Sequence, residues 1–261
     1  MAWFASLNPV CQGFLATLFT YAVTALGALP VFFFRTVNQK ILDMMMGFAA
    51  GVMIAASFWS LLSPAIKLAG EMGKNAWLTA AVGFMLGGAF VICSDPFLSR
   101  LEHVRQNGRL KRSILIMTAI TLDNIPEGMA VGIAFGSAAQ NIGGATLPGA
   151  MMLALGIGLQ NFPEGVCVAM PLRRDGASRL RSFMVGQASG LVEPIAGVLG
   201  ALLTVRMRSI LPLALTFSAG AMIAVVCSEL IPESFRDSKL LASVGVLLGF
   251  TVMMVLALAL G

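Results

Sequence analysis

Apolar runs of about 20 residues recur along the whole chain, and the polar links between them are short. Charged residues make up only 11% of the sequence, against about 25% in a soluble domain. In lipid a backbone must satisfy its own hydrogen bonds, and a helix does so within one segment. The pattern therefore predicts an all-α membrane protein with eight transmembrane helices. They cover roughly 9–34, 41–66, 76–98, 113–137, 146–171, 182–204, 210–232 and 240–260. Links this short make neighbouring spans antiparallel and leave no room for a soluble domain, so residues 1–261 read as one transmembrane unit. The 28 glycines suit helices that approach one another closely.

The basic residues set the expected orientation. The links after the odd-numbered spans hold Arg35 and Lys40; Arg100, Arg105, Arg109, Lys111 and Arg112; Arg173, Arg174, Arg179 and Arg181; and Arg236 and Lys239. The opposite side holds only Lys67, Lys74, Arg206 and Arg208. This asymmetry puts the odd-numbered links in the cytoplasm and both termini on the extracytoplasmic side, in a multi-pass protein of the cell membrane. The net charge of +5 is thus a topology signal and not a nucleic-acid footprint. The basic cytoplasmic loop 99–112 suits anionic headgroups and contains His103, the single histidine, which is either a solvated side chain or a transient metal-handing group.

Other features have bland readings. Cys11, Cys93, Cys167 and Cys227 form no C-x-x-C pair and read as small apolar residues. The methionines read as adaptable packing. Gly83, Gly87 and Gly88 read as a close helix contact. The first ten residues carry no basic n-region and lead into a full-length span, so no cleavable signal is expected.

The charges at membrane depth are more informative. Asp123, Glu127, Glu164, Glu193 and Glu229 fall inside spans, with Asp43 and Asp95 nearer their ends, and no Lys or Arg lies as deep. Each such carboxylate costs about 3 kcal/mol on insertion scales. Either several are protonated, or a bound cation supplies the missing positive charge.

Their pattern favours the cation. Asp123-Asn124-Ile125-Pro126-Glu127-Gly128 recurs as Gln160-Asn161-Phe162-Pro163-Glu164-Gly165 one span later. Residues four apart on a helix lie about 40° apart, so Asp123 shares a face with Glu127, and Gln160 with Glu164. Asn124 and Asn161 sit about 100° round from their neighbours, which lets each glutamate serve two adjacent cation positions. The prolines disturb the carbonyls near Leu122 and Leu159, and the glycines are expected to let the two motif helices approach. Glu193, before Pro194, is expected to approach the same site. Glu229 and Glu233, around Pro232, form either an exit position or an interfacial cap. Ser60 and Ser63 either line the route or bond their own helical turn. Oxygen donors without imidazole suit Mg²⁺, Ca²⁺ and Mn²⁺. A proton or monovalent-cation carrier stays open as an alternative. An intramembrane metalloenzyme is disfavoured, since it commonly needs two histidines four apart.

The paired N-x-P-E-G stretches resemble the fourth and fifth helices of the ZIP metal transporters. Gly158 to Gly165, Gly190-Leu191-Val192-Glu193-Pro194-Ile195-Ala196-Gly197 and Glu229-Leu230-Ile231-Pro232-Glu233-Ser234 are similar to the bacterial GufA-type branch. The resemblance covers almost the whole chain. It implies no enzyme and no prosthetic group, but import of a divalent cation, usually zinc and sometimes iron, manganese or cadmium. It further implies a site for two ions between helices 4 and 5, a 3+2+3 helix arrangement with inverted repeats, frequent homodimers and elevator-like alternating access. By position, Asp123, Glu127, Gln160 and Glu164 match the first metal site, and Asn124, Glu127, Asn161, Glu164 and Glu193 the second. The family usually has histidine where this chain has Asp123, often has histidine where it has Ser228, and has a histidine-rich loop here reduced to His103. The harder donor at position 123 is expected to shift preference toward Mn²⁺, Fe²⁺ or another oxygen-tolerant cation, with Zn²⁺ kept open as the usual cargo of the family.

Overall fold

The computed structural model describes residues 2–36, 38–103, 108–174 and 176–260, without the side chains of 95–103, 108–123 and a few single positions. The side chains of Asp95, His103 and Asp123 thus lie outside the described residues, as do those of the segment 99–112 expected to be a loop, whose backbone is instead helical up to His103 and again from Gly108. Among the described residues there is no strand. Eight long helical stretches follow one another: α1 (Pro9–Phe32), α2 (Gln39–Glu71), α3 (Ala76–His103), α4 (Gly108–Ala139), α5 (Leu147–Arg174), α6 (Arg179–Arg206), α7 (Leu211–Ser234) and α8 (Lys239–Leu260). Among the described residues, seven segments are long and apolar enough to cross a membrane, one in each stretch except α4.

Local chemistry sets the ends. Asn8 accepts from the Val10 N–H at the start of α1, with Pro9 in the first turn. Asn38 accepts from the Lys40 N–H at the start of α2, and Ser178 from the Arg181 N–H at the start of α6. Between α4 and α5 the chain turns through Asn141 and Gly144, both left-handed, with φ of 50° and 77°. Asp43, buried in α2, accepts from the backbone N–H groups of Asp237 at 3.1 Å and Ser238 at 2.7 Å. This buried carboxylate therefore holds the start of α8.

Several stretches depart from α geometry beside a proline. A π turn at Ser57–Leu62 comes just before Pro64 in α2, and another at Val226–Leu230 just before Pro232 in α7. A proline lacks the N–H its turn requires and crowds the carbonyl four residues back, and a wider turn relieves the crowding. In α6 a 3₁₀ turn at Ser189–Leu191 comes before Pro194. Pro126 and Pro163, by contrast, lie inside uninterrupted α-helices.

The most extensive packing is between α2 and α8, α4 and α6, α3 and α7, and α1 and α5. In each pair a missing Cβ lets backbones touch. A Cβ on Gly51 would lie 2.1 Å from the Val246 carbonyl oxygen, on Gly87 1.9 Å from that of Phe217, on Gly132 1.9 Å from that of Gly197, and on Gly165 2.1 Å from that of Thr24. Gly83 and Gly87 make the close contact expected of them, whereas Gly88 has only ordinary clearance. The main apolar core, including Met53, Leu61, Ile133, Phe135, Leu153 and Ile157, fills the space among α2, α4, α5 and α7.

Candidate metal centre

The two motif stretches face each other, on α4 and α5. Gln160 Nε2 donates to Glu127 Oε1 at 2.6 Å, and Asn124 Nδ2 donates to Glu164 Oε1 at 2.8 Å. Each helix thus offers an amide to the other helix's glutamate. All four side chains are buried. The same register leaves Leu159 and Phe162 outside the core, at 48% and 40% exposed. A single face of α5 carries the polar groups, as the spacing requires.

The network extends to α6 and α1. Asn161 Nδ2 donates to Glu193 Oε1 at 2.8 Å and to the Thr20 carbonyl at 3.2 Å. Gln160 Nε2 also reaches Asn161 Oδ1 at 3.2 Å, which joins this group to Glu127. The Thr20 hydroxyl donates to Glu193 Oε2. The structure thus brings together Asn124, Glu127, Gln160, Asn161, Glu164 and Glu193, and Glu193 approaches as expected. The backbone of Asp123 lies on α4 one turn before Glu127, and its side chain is not described.

The two motif glycines act differently from expectation. Gly165 meets Thr24 of α1, and a Cβ on Gly128 would lie 2.5 Å from the Glu193 carbonyl oxygen of α6. They press the motif helices outward onto α1 and α6 and not onto each other. The polar face between α4 and α5 is left to side chains.

A cavity of about 1020 Å³ reaches Glu127, Gln160 and Glu164 at its inner end. It continues past Met46, Cys167 and Met170 to Glu229 and Glu233, and then to Thr36, Arg174, Arg236 and Asp237 at the helix ends. Glu233 pairs with Arg236 at 2.6 Å. Glu229 and Glu233 thus line the way between the centre and the mouth. Asn161 and Glu193 do not line this cavity. A smaller space of about 160 Å³, lined by Ser60, Pro64, Ser137 and Thr146, lies toward the opposite helix ends. Residues of the apolar core, including Met53, Leu61, Ile133 and Ile157, fill the interior beside both spaces.

Among the described residues, no three His, Cys, Asp or Glu side chains are close enough to hold a metal by themselves. The candidate donor set mixes carboxylates with amides. Gln160 Oε1 is buried and accepts no hydrogen bond, so one amide oxygen is available to an ion. The four cysteines are all free thiols.

Thr20 was not legible as part of the site. It belongs to a buried row on α1 that includes Gly13, Thr17, Thr20, Thr24 and Gly27. Small and hydroxylated residues at helical spacing within an apolar span were the available signal.

The sequence comparisons agree with one another. A family model described as "ZIP Zinc transporter" matches residues 102–257. "Zinc transporter ZIP11" of Homo sapiens is 38% identical, covering 97% of this chain and 98% of the relative. "Zinc transporter GufA" of Myxococcus xanthus is 36% identical, over 95% of this chain and 99% of the relative. "Zinc transporter ZIPB" of Bordetella bronchiseptica is 38% identical, over 92% of this chain and 79% of the relative.

Proposed function

The chain belongs to the ZIP zinc transporter family, and from that premise we propose that it imports a divalent cation through the centre between α4 and α5. Membership makes it a multi-pass membrane transporter of divalent metal and not an enzyme. The observation that carries the location is the reciprocal pairing of Gln160 with Glu127 and of Asn124 with Glu164 at the inner end of a cavity. Asp123, Glu127, Gln160 and Glu164 hold one ion. Asn124, Asn161 and Glu193 join the shared glutamates to hold a second.

The amides explain how the centre tolerates being empty. With no ion bound, their N–H groups face the carboxylates and partly offset the buried charge. With an ion present, Gln160 turns or shares its unpartnered oxygen toward it. A lysine in that place would neutralise the glutamates permanently and compete with the cargo.

The cavity mouth lies at the helix ends that carry Arg174, Arg236 and the other basic residues. Under the charge-based orientation that end is cytoplasmic, both termini are extracytoplasmic, and the conformation faces inward in the cell membrane. Eight spans in a 3+2+3 arrangement fit the four glycine-packed pairs, since α2–α8 and α7–α3, like α1–α5 and α6–α4, exchange under an inverted repeat of the first three and last three spans. Alternating access then requires the apolar core beside the centre to part on the extracytoplasmic side. Glu229 and Glu233 serve as an exit position, and His103 hands ions onward at the cytoplasmic loop. The exposed apolar rows of α3 and α8, such as Leu86 and Leu247, are available to lipid or to the second copy of a homodimer.

The test is uptake into proteoliposomes, with Zn²⁺, Mn²⁺, Fe²⁺, Co²⁺ and Cd²⁺ in competition. Saturable uptake of at least one of these ions is expected. Asp123→His should move preference toward Zn²⁺, because imidazole is the softer donor. An unchanged Zn²⁺ to Mn²⁺ ratio refutes the assignment of Asp123, and absence of uptake for all five refutes the transport reading.

A further inference from the structure

Glu193 and Asn161 are buried on the far side of Gln160 from the cavity, and what orients them is a residue of α1. Thr20 touches both through two different atoms. Its hydroxyl donates to Glu193 Oε2, and its backbone carbonyl accepts from Asn161 Nδ2 at 3.2 Å. Asn161 spends its other amide hydrogen on Glu193 Oε1 at 2.8 Å. Both donors of that amide are therefore committed, and its oxygen is left facing Gln160 and the Glu127 side of the centre. Thr20, Asn161 and Glu193 are all fully buried, so water does not replace any of these bonds.

The Thr20 hydroxyl has one hydrogen and two acceptors in reach. Besides Glu193 Oε2, the Thr17 carbonyl lies at 2.9 Å. A carboxylate is the stronger acceptor, so the hydrogen goes to Glu193. Backbone contacts fix the surroundings. α1 is pinned to α5 where Gly27 meets Phe162 and Gly165 meets Thr24, and a Cβ on Gly190 would crowd Glu193 Oε1 at 3.2 Å. Glu193 thus has little freedom except toward the metal centre or toward α1, where the Thr24 hydroxyl reaches it as a lesser partner beside Thr20.

We propose that Thr20 is a positioning residue for the second cation position, acting through Glu193 and Asn161, so that α1 sets the geometry of ligands on α5 and α6. The inference rests on the reading of Asn161 and Glu193 as ligands. It gives span 1, which carries no charged residue between Pro9 and Phe34, a part in selecting the cargo. Partners that orient metal ligands change affinity by about 10–100-fold when removed.

The test uses the full-length protein in detergent and in proteoliposomes, with Zn²⁺ as the probe. Thr20→Val keeps the shape and removes the hydroxyl, whereas Thr20→Ser keeps the hydroxyl and removes the methyl. Equilibrium dialysis should show weakening of about tenfold or more for the second Zn²⁺ in Thr20→Val, with the first little changed. The uptake KM should rise in step, and Thr20→Ser should restore both. A packing role predicts the reverse order, with Val tolerated and Ser impaired. In a Glu193→Ala background, Thr20→Val should add nothing, because the group it acts through is gone. This cycle also serves if the single Val variant folds poorly. Wild-type affinity and KM in Thr20→Val, or equal loss in Ser and Val, overturns the inference. Glu127→Gln is the control for the underlying reading. If it loses uptake while Thr20→Val behaves as wild type, the centre stands and only the role of Thr20 falls. If Glu127→Gln transports normally, the centre itself is wrong and the inference falls with it.

Discussion

Glu164→Gln separates ion binding from folding more cleanly than any other change at the centre. Glu164 is buried, lines the inner end of the cavity and accepts from Asn124 Nδ2 at 2.8 Å. A glutamine there turns its oxygen to Asn124 and keeps that bond, at about half the strength of the charge-assisted one. The apo protein also loses a buried negative charge, whose desolvation opposes folding. The two effects oppose each other, and the variant should fold as well as the wild type within about 1 kcal/mol. Ion binding has no such compensation. Unit charges about 4 Å apart interact by about 4 kcal/mol at an effective dielectric of about 20, so a divalent ion gains about 8 kcal/mol from one carboxylate before it sheds water. If about a third of that survives dehydration, the loss is about 3 kcal/mol, or roughly a hundredfold in affinity. The folded wild type should gain about 2.7 kcal/mol at a metal concentration 100 times its Kd, and the variant, with a roughly hundredfold weaker Kd, only about 0.4 kcal/mol at that concentration. Thermal unfolding in detergent with and without Zn²⁺, run beside uptake into proteoliposomes, measures both halves. A variant that keeps the metal-induced stabilisation and transports within about threefold of wild type refutes Glu164 as an anionic ligand.

Other expectations follow from the same contacts. Asp43→Ala removes two hydrogen bonds to a charged acceptor and should cost about 3 kcal/mol or more in unfolding, with Asp43→Asn milder; equal stability of all three proteins would remove Asp43 as the anchor of α8. Gly165→Ala puts a methyl 2.1 Å from the Thr24 carbonyl and should abolish uptake by parting α1 from α5, whereas Gly70→Ala, with open space around it, should be silent by the same assay. Metal must displace protons from the carboxylates, so the apparent KM should rise as pH falls from about 7.5 to about 5; a flat KM across that range would contradict carboxylate ligation.

The centre was legible because intramembrane charge is expensive and spacing on a helix is regular. Spacing alone could put Gln160 and Glu164 on one side of their helix and match Asn124 and Glu127 to them through the repeated motif; that the two surfaces meet is seen in the hydrogen bonds between α4 and α5. Glu193 could be associated with them because it is another carboxylate in lipid beside a proline. Asp43 carried the same kind of signal and turned out to hold a helix end, so burial of a carboxylate does not by itself distinguish cargo from cap. What distinguishes them is the partner. Asp43 accepts from backbone N–H groups, whereas Glu127 and Glu164 accept from side-chain amides, which have rotatable bonds that a backbone N–H lacks. Partners of this kind belong to neighbouring helices, and a single chain of letters does not say which helices are neighbours. The glycines illustrate the limit. Their number predicts backbone contact, but the direction of each depends on the register of the facing helix. Gly128 and Gly165 sit at equivalent places in the two motifs, and both point away from the other motif, toward α6 and α1. That outward packing brings Glu193 and Thr20 to the centre. The residues that complete the site are therefore selected by where its glycines press, and tertiary assembly decides this after the periodicity of each span has been fixed.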